Sequence, residues 1–598
     1  MTLRVAVLVK SVPRAEDLAL GPGNRLDRSR PAAETNPYCR RAVAKGVELA
    51  RDASGTCVAF SLGPPNASDV LREAVAAGAD RGILVSDAAF AGSDTLASSR
   101  ALVAAIEREG PFDLVLAGRS SIDSGTGQVP AQVAELLGLP MLSSVRAMTI
   151  AGRLARAECE TDDGFHESEV RLPALLSCAE RLCAPAKVTP DQRESVPDGL
   201  ITRVSAADLG PGPWGAAGSP TRVGALREAG SDRLCRVFAG PVAEQVQEAL
   251  VVVSGLLAGD PDRRGGALEV PDGSARGSTL VAVLAEPKRL GATRELLGAA
   301  AVLAGQVGGR VCVVVPSPLV APATLGAWGA DEVVEMRGGS LAGDVAAALA
   351  GWVELRVPWA LLAPASSWGR EVAARLAAHR GEGLVGDAVG VGVDPGSGRM
   401  VSWKPAFGGS FLASITSSSP TQMATVVPGF LPVLAPRRSQ PPGLGSLQVQ
   451  STDRVRLLRV EHADDPGALA AARIVIGVGM GVVPGEYPTM CELAAALGAE
   501  LAATRKVTDR GWLPRSRQVG VTGRSISPAL YLAVGLSGKP NHMIGVRGAR
   551  AVLAVNSDPD AAVFAWSDAG IVAGWREALP PLVSALVGLA GSVQSRPG

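Results

Sequence analysis

The sequence predicts an α/β protein: two related open parallel-sheet, nucleotide-binding-like domains followed by a doubly wound C-terminal domain. Three observations lead there. Short apolar runs rich in Val, Leu and Ile alternate with longer stretches of helical periodicity, a pattern best packed as a parallel sheet with helices on its faces. The order of runs in the first part of the chain returns in the middle part, as happens when a whole domain is duplicated. Finally, an apolar run at 551–555 is surrounded by Gly535, Leu536, Ser537, Gly538, Asn541, His542, Asn556 and Asp558. These are small or hydrogen-bonding residues gathered where strands should end. In a doubly wound sheet that edge is where ligands lie, because backbone amides and helix starts point into the crevice.

The first block reads as a βαβ series. A strand is expected over 3–9, a helix over 42–51, a strand over 56–62 closed by Gly63-Pro64-Pro65, and a helix over 69–77 stopped by Gly78. Further buried strands fall at 81–85 and 114–117. In the middle part, runs at 280–284 and 310–316 echo the first two strands, and 326–331 matches 76–80, each just ahead of a strand. A strand at 360–366 and a helix at 371–378 complete the second copy, and a third domain opens with a strand at 473–476. Two stretches rich in Pro, Gly, Ser or Gln break the pattern, and the first holds one helical piece at 242–257. The expected division is a first domain at 1–190, arm and linker at 191–276, a second domain at 277–440, a linker at 441–468 and a third domain at 469–598.

Composition narrows the function classes. The 598 residues suffice for several domains, each with its own core. Lys+Arg and Asp+Glu both number 58, and a net charge of zero argues against nucleic acid or an anionic membrane as main partner. No stretch reaches the ~18–20 apolar residues that a spanning helix needs. The N-terminal run reads as a strand rather than a signal sequence, so a cytoplasmic chain is expected. The eight Cys form no C-x-x-C pair; residues such as Cys57 and Cys312 read as small buried apolar groups, and no metal site is expected.

Residues 528–564 resemble the FAD-binding segment of the electron-transfer flavoprotein α subunit, whose pattern runs P-x-L-Y-x-A-x-G-I-S-G-A-I-Q-H, then A-I-N-x-D, then A-x-I-F. Here Pro528, Leu530, Tyr531, Ala533, Gly535, Leu536, Ser537, Gly538 and His542 precede Val555, Asn556, Asp558, Val563 and Phe564. The resemblance covers nearly the whole chain. Residues 1–190 resemble the β subunit through Val9-Lys10-Ser11-Val12-Pro13, Thr35-Asn36-Pro37, Gly78-Ala79-Asp80 and Gly118-Arg119-Ser120-Ser121-Ile122-Asp123. Residues from about 278 to 590 resemble the α subunit through Gly369-Arg370-Glu371, Lys404-Pro405 and Gln422-Met423-Ala424-Thr425. Two subunits normally separate stand in one polypeptide, β-like half first.

The resemblance implies an FAD site. Arg505, with Asp509, Gly511 and Trp512, matches a loop whose arginine lies over the flavin ring, where a cation favours its anionic reduced forms. Gln518, Val519, Gly520, Thr522 and Gly523 match a loop cradling the ring edge, and His542 the residue that bonds the pyrimidine oxygen. Gly535, Ser537 and Gly538 would offer backbone to phosphate or ribose, and Asn556 and Asp558 would hold the ribityl chain and adenosine. Three departures bear on the electronics: Met480 and Val427 replace arginines, and Lys539-Pro540-Asn541 replaces A-I-Q.

In the β-like half, residues 118–128 form a turn of small residues between a strand and a helix over 131–137, which suits a phosphate nest and equally a plain strand-to-helix turn. The resemblance implies a second nucleotide held by Val9, Ser11, Asn36, Gly118, Asp123, Thr126, Gly127 and Gln128. AMP is the commoner family ligand, whereas Gln128-Val129-Pro130 lies nearer the pattern of members that hold a second FAD and bifurcate electrons. The expected function is an electron carrier without catalytic residues of its own. FAD would take electrons from a flavoprotein dehydrogenase and pass them to another redox protein, such as a quinone oxidoreductase. A nucleotide-binding regulatory or structural protein that has lost redox function is the alternative from another class.

Overall fold

The structure is a computed structural model describing residues 2–13, 19–21, 25–27, 33–228, 233–258, 269–271, 277–286, 289–316, 320–406, 411–438, 441–462, 468–469, 472–520 and 523–594, with backbone alone at 19–21, 25–27, 33, 228 and 588–594. In the first domain β1 (Arg4–Leu8), α1 (Pro37–Asp52), β2 (Thr56–Leu62), α2 (Ser68–Ala76), β3 (Arg81–Val85), α3 (Thr95–Glu109), β4 (Leu114–Gly118) and α4 (Gln128–Leu136) follow one another. β1 pairs in parallel with β2 and β4, and β2 with β3. Val5, Ala6 and Val7 are all fully buried, because helices cover both faces of a parallel sheet. Three antiparallel strands, β5 (Met141–Ala151), β6 (Leu154–Glu160) and β7 (Gly164–Arg171), precede β8 (Ala174–Cys178), which runs parallel to β4.

The next stretch holds β9 (Ile201–Val204), β10 (Thr221–Glu228), β11 (Arg236–Phe238) and α5 (Val242–Ala258). In the second domain β12 (Thr279–Leu284), α6 (Leu290–Gln306), β13 (Gly309–Pro316), β14 (Glu332–Gly338), α7 (Ala342–Arg356), β15 (Ala360–Pro364), α8 (Ser367–Arg380) and β16 (Leu384–Ala388) repeat the α/β alternation. β17 (Gly390–Val393), β18 (Met400–Ala406), β19 (Phe411–Ser417) and β20 (Gln422–Val426) lead to β21 (Gly443–Val449) and β22 (Val455–His462).

The duplication read from the sequence is visible strand by strand. The first sheet runs β9-β3-β2-β1-β4-β8-β5-β6-β7-β22, the second β16-β20-β15-β12-β13-β14-β21, so β3-β2-β1-β4-β8 and β14-β13-β12-β15-β20 are the same arrangement. One reason the residues before the third strand repeat is now clear. Asp80 accepts the Cys57 amide at 2.7 Å and donates its own to the Cys57 carbonyl at 2.9 Å, and Asp331 does both with Val311 at 2.8 Å.

Two stretches differ from the expectation. Residues 441–468, read as a linker, contribute β21 to the second sheet and β22 to the first. Residues 191–276, read as arm and linker, supply a strand to each of three sheets: β9 beside β3, β10 beside β19, and β11 in the third domain. The halves thereby exchange strands, since β10 of the first half pairs with the β17-β18-β19 group while β22 of the second half pairs with β7. Such strands leave side chains in solvent, as at Leu457 and Val460, and Gly443, Leu444, Gly445 and Ser446 are exposed too, so no apolar alternation marks them.

In the third domain β23 (Ile474–Val478), α9 (Tyr487–Leu497), β24 (Glu500–Ala503), α10 (Arg505–Asp509), β25 (Leu530–Val534), β26 (Ala551–Asn556), β27 (Ala569–Val572) and α11 (Trp575–Gln594) build a parallel sheet in the order β11-β27-β26-β25-β23-β24. The chain leaves β23 for β24 on one side and returns to β25 on the other, which makes the β23/β25 gap the switch point of a doubly wound sheet. α5 closes one face, its Val246, Ala249, Leu250 and Val253 packed in one core with Leu579, Leu582 and Val583 of α11. Among the described residues no helix is long and apolar enough to cross a membrane.

Candidate functional site

At the switch point the loops after β23 and β25 touch backbone to backbone. The Gly479 amide donates to the Val534 carbonyl and the Gly481 amide to that of Gly535, both at 3.0 Å. Only glycine permits this: a Cβ at Gly479 would stand 2.3 Å from the Gly535 oxygen, and one at Gly538 only 2.1 Å from the Val563 nitrogen. Gly535 and Gly538 also hold left-handed φ angles of 58° and 76°. The outcome is a backbone crest on which the amides of Met480, Leu536, Ser537 and Gly538 have no hydrogen-bond partner among the described residues. Asn556, at the end of β26, braces the crest: Nδ2 donates to the Leu536 carbonyl and Oδ1 accepts the Asp558 amide, both at 2.9 Å. Asp558 in turn accepts the Asp560 amide at 3.0 Å. Both side chains therefore shape the turn that a ligand would meet.

His542 is buried, with Nε2 2.6 Å from the Tyr531 hydroxyl and Nδ1 3.0 Å from the Val519 carbonyl. A carbonyl only accepts, so Nδ1 carries the proton and Nε2 accepts from Tyr531. Burial pushes the imidazole down to about 4, against a smaller opposite effect of the Val519 contact, which leaves it neutral at pH 7. The sequence suggested a ring nitrogen facing the flavin; in the structure both nitrogens are engaged by protein. Through these two contacts His542 links Val519 to Tyr531 of β25. Gln518 accepts from the Thr508 hydroxyl at 2.8 Å, the Val519 amide donates to Ala503 at 3.0 Å, and that of Gly520 to Arg524 at 2.9 Å. Gly520 lies so close to Asn541 that a Cβ would meet its oxygen at 2.4 Å, and one at Gly523 would meet the Gln518 oxygen at 2.3 Å. Thr522 lies outside the described residues.

Arg505 lies in a junction with the first domain. Its guanidinium bonds the Tyr38 hydroxyl, lies 5.0 Å from the Tyr38 ring centroid, and pairs with Glu180 at 3.1 Å and Asp509 at 3.2 Å. Arg119 reaches the same Glu180 at 2.7 Å, and Arg515 lies 3.5 Å from Glu160. Burial alone would raise Glu180, but Arg119, Arg515 and Arg505 hold it at about 2. Sequence reasoning missed Tyr38, Glu160, Glu180 and Arg515; position alone signals two of them, Tyr38 directly after Asn36-Pro37 and Glu180 just beyond β8. A second junction forms at the β6–β7 turn, where Asp163 meets Arg289 of the second domain at 2.8 Å and Arg524 of the third at 2.9 Å.

In the first domain Asn36 is buried, donating to the Ser120 carbonyl at 2.8 Å and accepting the Ile122 amide at 3.3 Å. Lys10 pairs with Asp123 at 2.8 Å, and Ser11 faces Thr35 in a short ribbon beside buried Val9. Gly118 abuts Tyr38, where a Cβ would come within 2.7 Å. Gly125 and Gly127 adopt left-handed φ values of 59° and 61°, and the amides of Thr126, Gly127, Gln128 and Val129 have no partner among the described residues. The Gln128 side chain is turned elsewhere, accepting from Thr95 at 2.6 Å and donating to the Leu384 carbonyl of the second domain at 3.1 Å.

Fold and site together define a three-domain α/β protein whose last domain carries a crest of partnerless amides at its switch point. The electron transfer flavoprotein domain matches residues 24–200 and again 281–451, and the electron transfer flavoprotein FAD-binding domain matches 468–547. The first of these alone spans more than half of the chain, and the chain belongs to the electron transfer flavoprotein family. The electron transfer flavoprotein subunit beta of Thermoanaerobacterium thermosaccharolyticum is 32% identical over 249 residues, covering 41% of this chain and 95% of that protein. Subunit alpha of the same organism is 32% identical over 232 residues, covering 38% and 70%. Protein FixB of Bradyrhizobium diazoefficiens is 35% identical over 235 residues, and the match spans 38% of this chain and 63% of FixB. β-like and α-like halves are thus fused in one polypeptide, and its C-terminal domain is the FAD-binding domain of the family. The residues present fit that cofactor: amides without partners are the donors a pyrophosphate takes up, and the glycines clear the way for it.

Proposed function

We propose that this chain is a single-polypeptide electron carrier of the cytoplasm. FAD in the third domain takes electrons from a partner flavoprotein dehydrogenase and passes them to another redox protein, such as a quinone oxidoreductase. Bound FAD supplies the redox chemistry, and the chain supplies binding, orientation and electrostatics. The observation that supports this reading best is the crest of partnerless amides at Met480, Leu536, Ser537 and Gly538, at the switch point of a family FAD-binding domain. In this reading the crest receives the pyrophosphate, Asn556 and Asp558 fix its shape, and Gln518, Val519, Gly520 and Gly523 line the ring edge. His542 acts by holding that loop in place. Arg505, near Tyr38 and Glu180, sets positive charge on the side facing the first domain.

The first domain would hold AMP in the nest of residues 125–128, with Asp123 and Thr126 orienting the loop and Asn36 and Val9, Lys10 and Ser11 lining the opposite wall. A second FAD there is the alternative, and would make the chain a bifurcating protein. Counting nucleotides released on denaturation tests both sites. One FAD and one AMP per chain are expected. Two FAD would place the protein in the bifurcating class, and a colourless protein without FAD would leave only the regulatory or structural reading.

A further inference from the structure

Met480 sits at the tip of the turn between Gly479 and Gly481, beside its own partnerless amide. Where an arginine was expected at this tip, a neutral thioether stands. The structure brings another cation to the same place. Arg510, on the loop that follows α10 beyond the neighbouring strand β24, lays its Nη1 3.0 Å from the Met480 sulfur. Its guanidinium lies 5.3 Å from the Trp512 ring centroid. A thioether is a weak acceptor, and an aromatic face attracts a guanidinium without neutralising it. Among the described residues Arg510 has no carboxylate within ion-pair distance, unlike Arg505 five residues earlier, which is paired with Glu180 and Asp509. Arg510 is therefore an exposed, uncompensated positive charge propped against the crest by two groups that steer it but do not satisfy it.

We propose that Arg510 is a cofactor-binding cation that reaches over Met480 to the anionic pyrophosphate of FAD, supplying from β24's loop the charge that position 480 lacks. This rests on the FAD reading above. Amide donors and a mobile guanidinium are complementary on a phosphate: the amides fix its place, and the planar fork adds charge-assisted hydrogen bonds. The Met480 side chain then serves as the rest that keeps the arginine over the turn.

The test uses full-length protein stripped of flavin and titrated with FAD at several salt concentrations. Arg510→Met should weaken FAD binding about tenfold and flatten the rise of Kd with salt, because one charge contact is gone. Adding Met480→Arg to that variant should restore both affinity and salt dependence, an outcome a packing role for Arg510 would not give. Arg510→Lys, which keeps charge but not the fork, should fall between, and decides the matter if the Met variant does not fold. An Arg510→Met protein with wild-type affinity and salt slope overturns the inference and leaves the FAD reading standing. A wild-type chain that takes up no FAD overturns that reading itself.

Discussion

His542 and Glu295 are two buried titratable residues whose protonation the fold sets in opposite senses. His542 is held down at about 4, below its unfolded value near 6.5, so the unfolded chain binds the extra proton in that interval. Its contribution to stability is complete above about 6.5 and is lost as pH falls towards 4, by up to about 3 kcal/mol. Replacing it with Gln, which can bond both Tyr531 and Val519 without titrating, should remove that part of the acid sensitivity, read as urea unfolding at pH 7 and pH 4.5. Glu295 accepts the Gly429 amide at 2.7 Å, yet burial lifts it to about 7, above its unfolded value. The folded state holds the proton more tightly there, so stability falls as pH rises from about 4.5 through 7. Glu295→Gln should accordingly melt higher than wild type at pH 8, and the gap should close by pH 5. A gap of equal size at both values would mean that the carboxyl does not titrate as its burial implies.

Strands carry the logic of assembly. The first half gives two edge strands to the second, β10 antiparallel to β19 and β11 parallel to β27, and the second gives β22 antiparallel to β7. The β6–β7 turn, which sets Asp163 against Arg289 and Arg524, hangs at the end of the hairpin that β22 covers. Replacing residues 455–462 by a Gly/Ser segment of equal length should expose β7, with hydrogen exchange of its amides faster by at least about tenfold. Exchange should stay unchanged in β1 and β2, which that strand does not touch. Unaltered protection of β7 would show that β22 is not needed to hold the hairpin.

Across the whole molecule, pairing and charge bind the three domains through contacts distant in sequence. Cutting the chain within 259–268 would still leave β10 on β19, β11 on β27 and β22 on β7. The two pieces should therefore run as one species on gel filtration. Tethering adds an effective concentration in roughly the millimolar range but is not what holds the halves. The junction of Glu180 with Arg119, Arg505 and Arg515 docks the third domain on the first. Glu180→Ala removes the one carboxylate that these three arginines share, a loss on the order of 3 kcal/mol. The result should be faster proteolysis between 505 and 515 at pH 7. Because Glu180 is held near 2 in the fold, wild-type protein should show the same loosening only as pH falls below about 4.5.

Sequence by itself determined what is written locally. The βαβ alternation, the duplicated Asp before each third strand, and the cluster around Gly535–Asp558 are patterns of neighbouring residues. Periodicity and glycine placement express them directly, and the family resemblance follows from the same strings. Which strand pairs with which was not legible, because an edge strand is chosen by a partner hundreds of residues away and needs little apolar pattern of its own. For that reason 441–468 looked like a linker, whereas its described residues include β21 and β22. The same holds for side chains: nothing near His542 announced that Tyr531 and Val519 would take both nitrogens, nor near Arg505 that it would turn to Tyr38 and Glu180. Nor could position 480 reveal that Arg510 would come to rest on it. Those choices depend on how loops from separate strands meet at one edge of a sheet, and only the packed tertiary structure fixes that meeting.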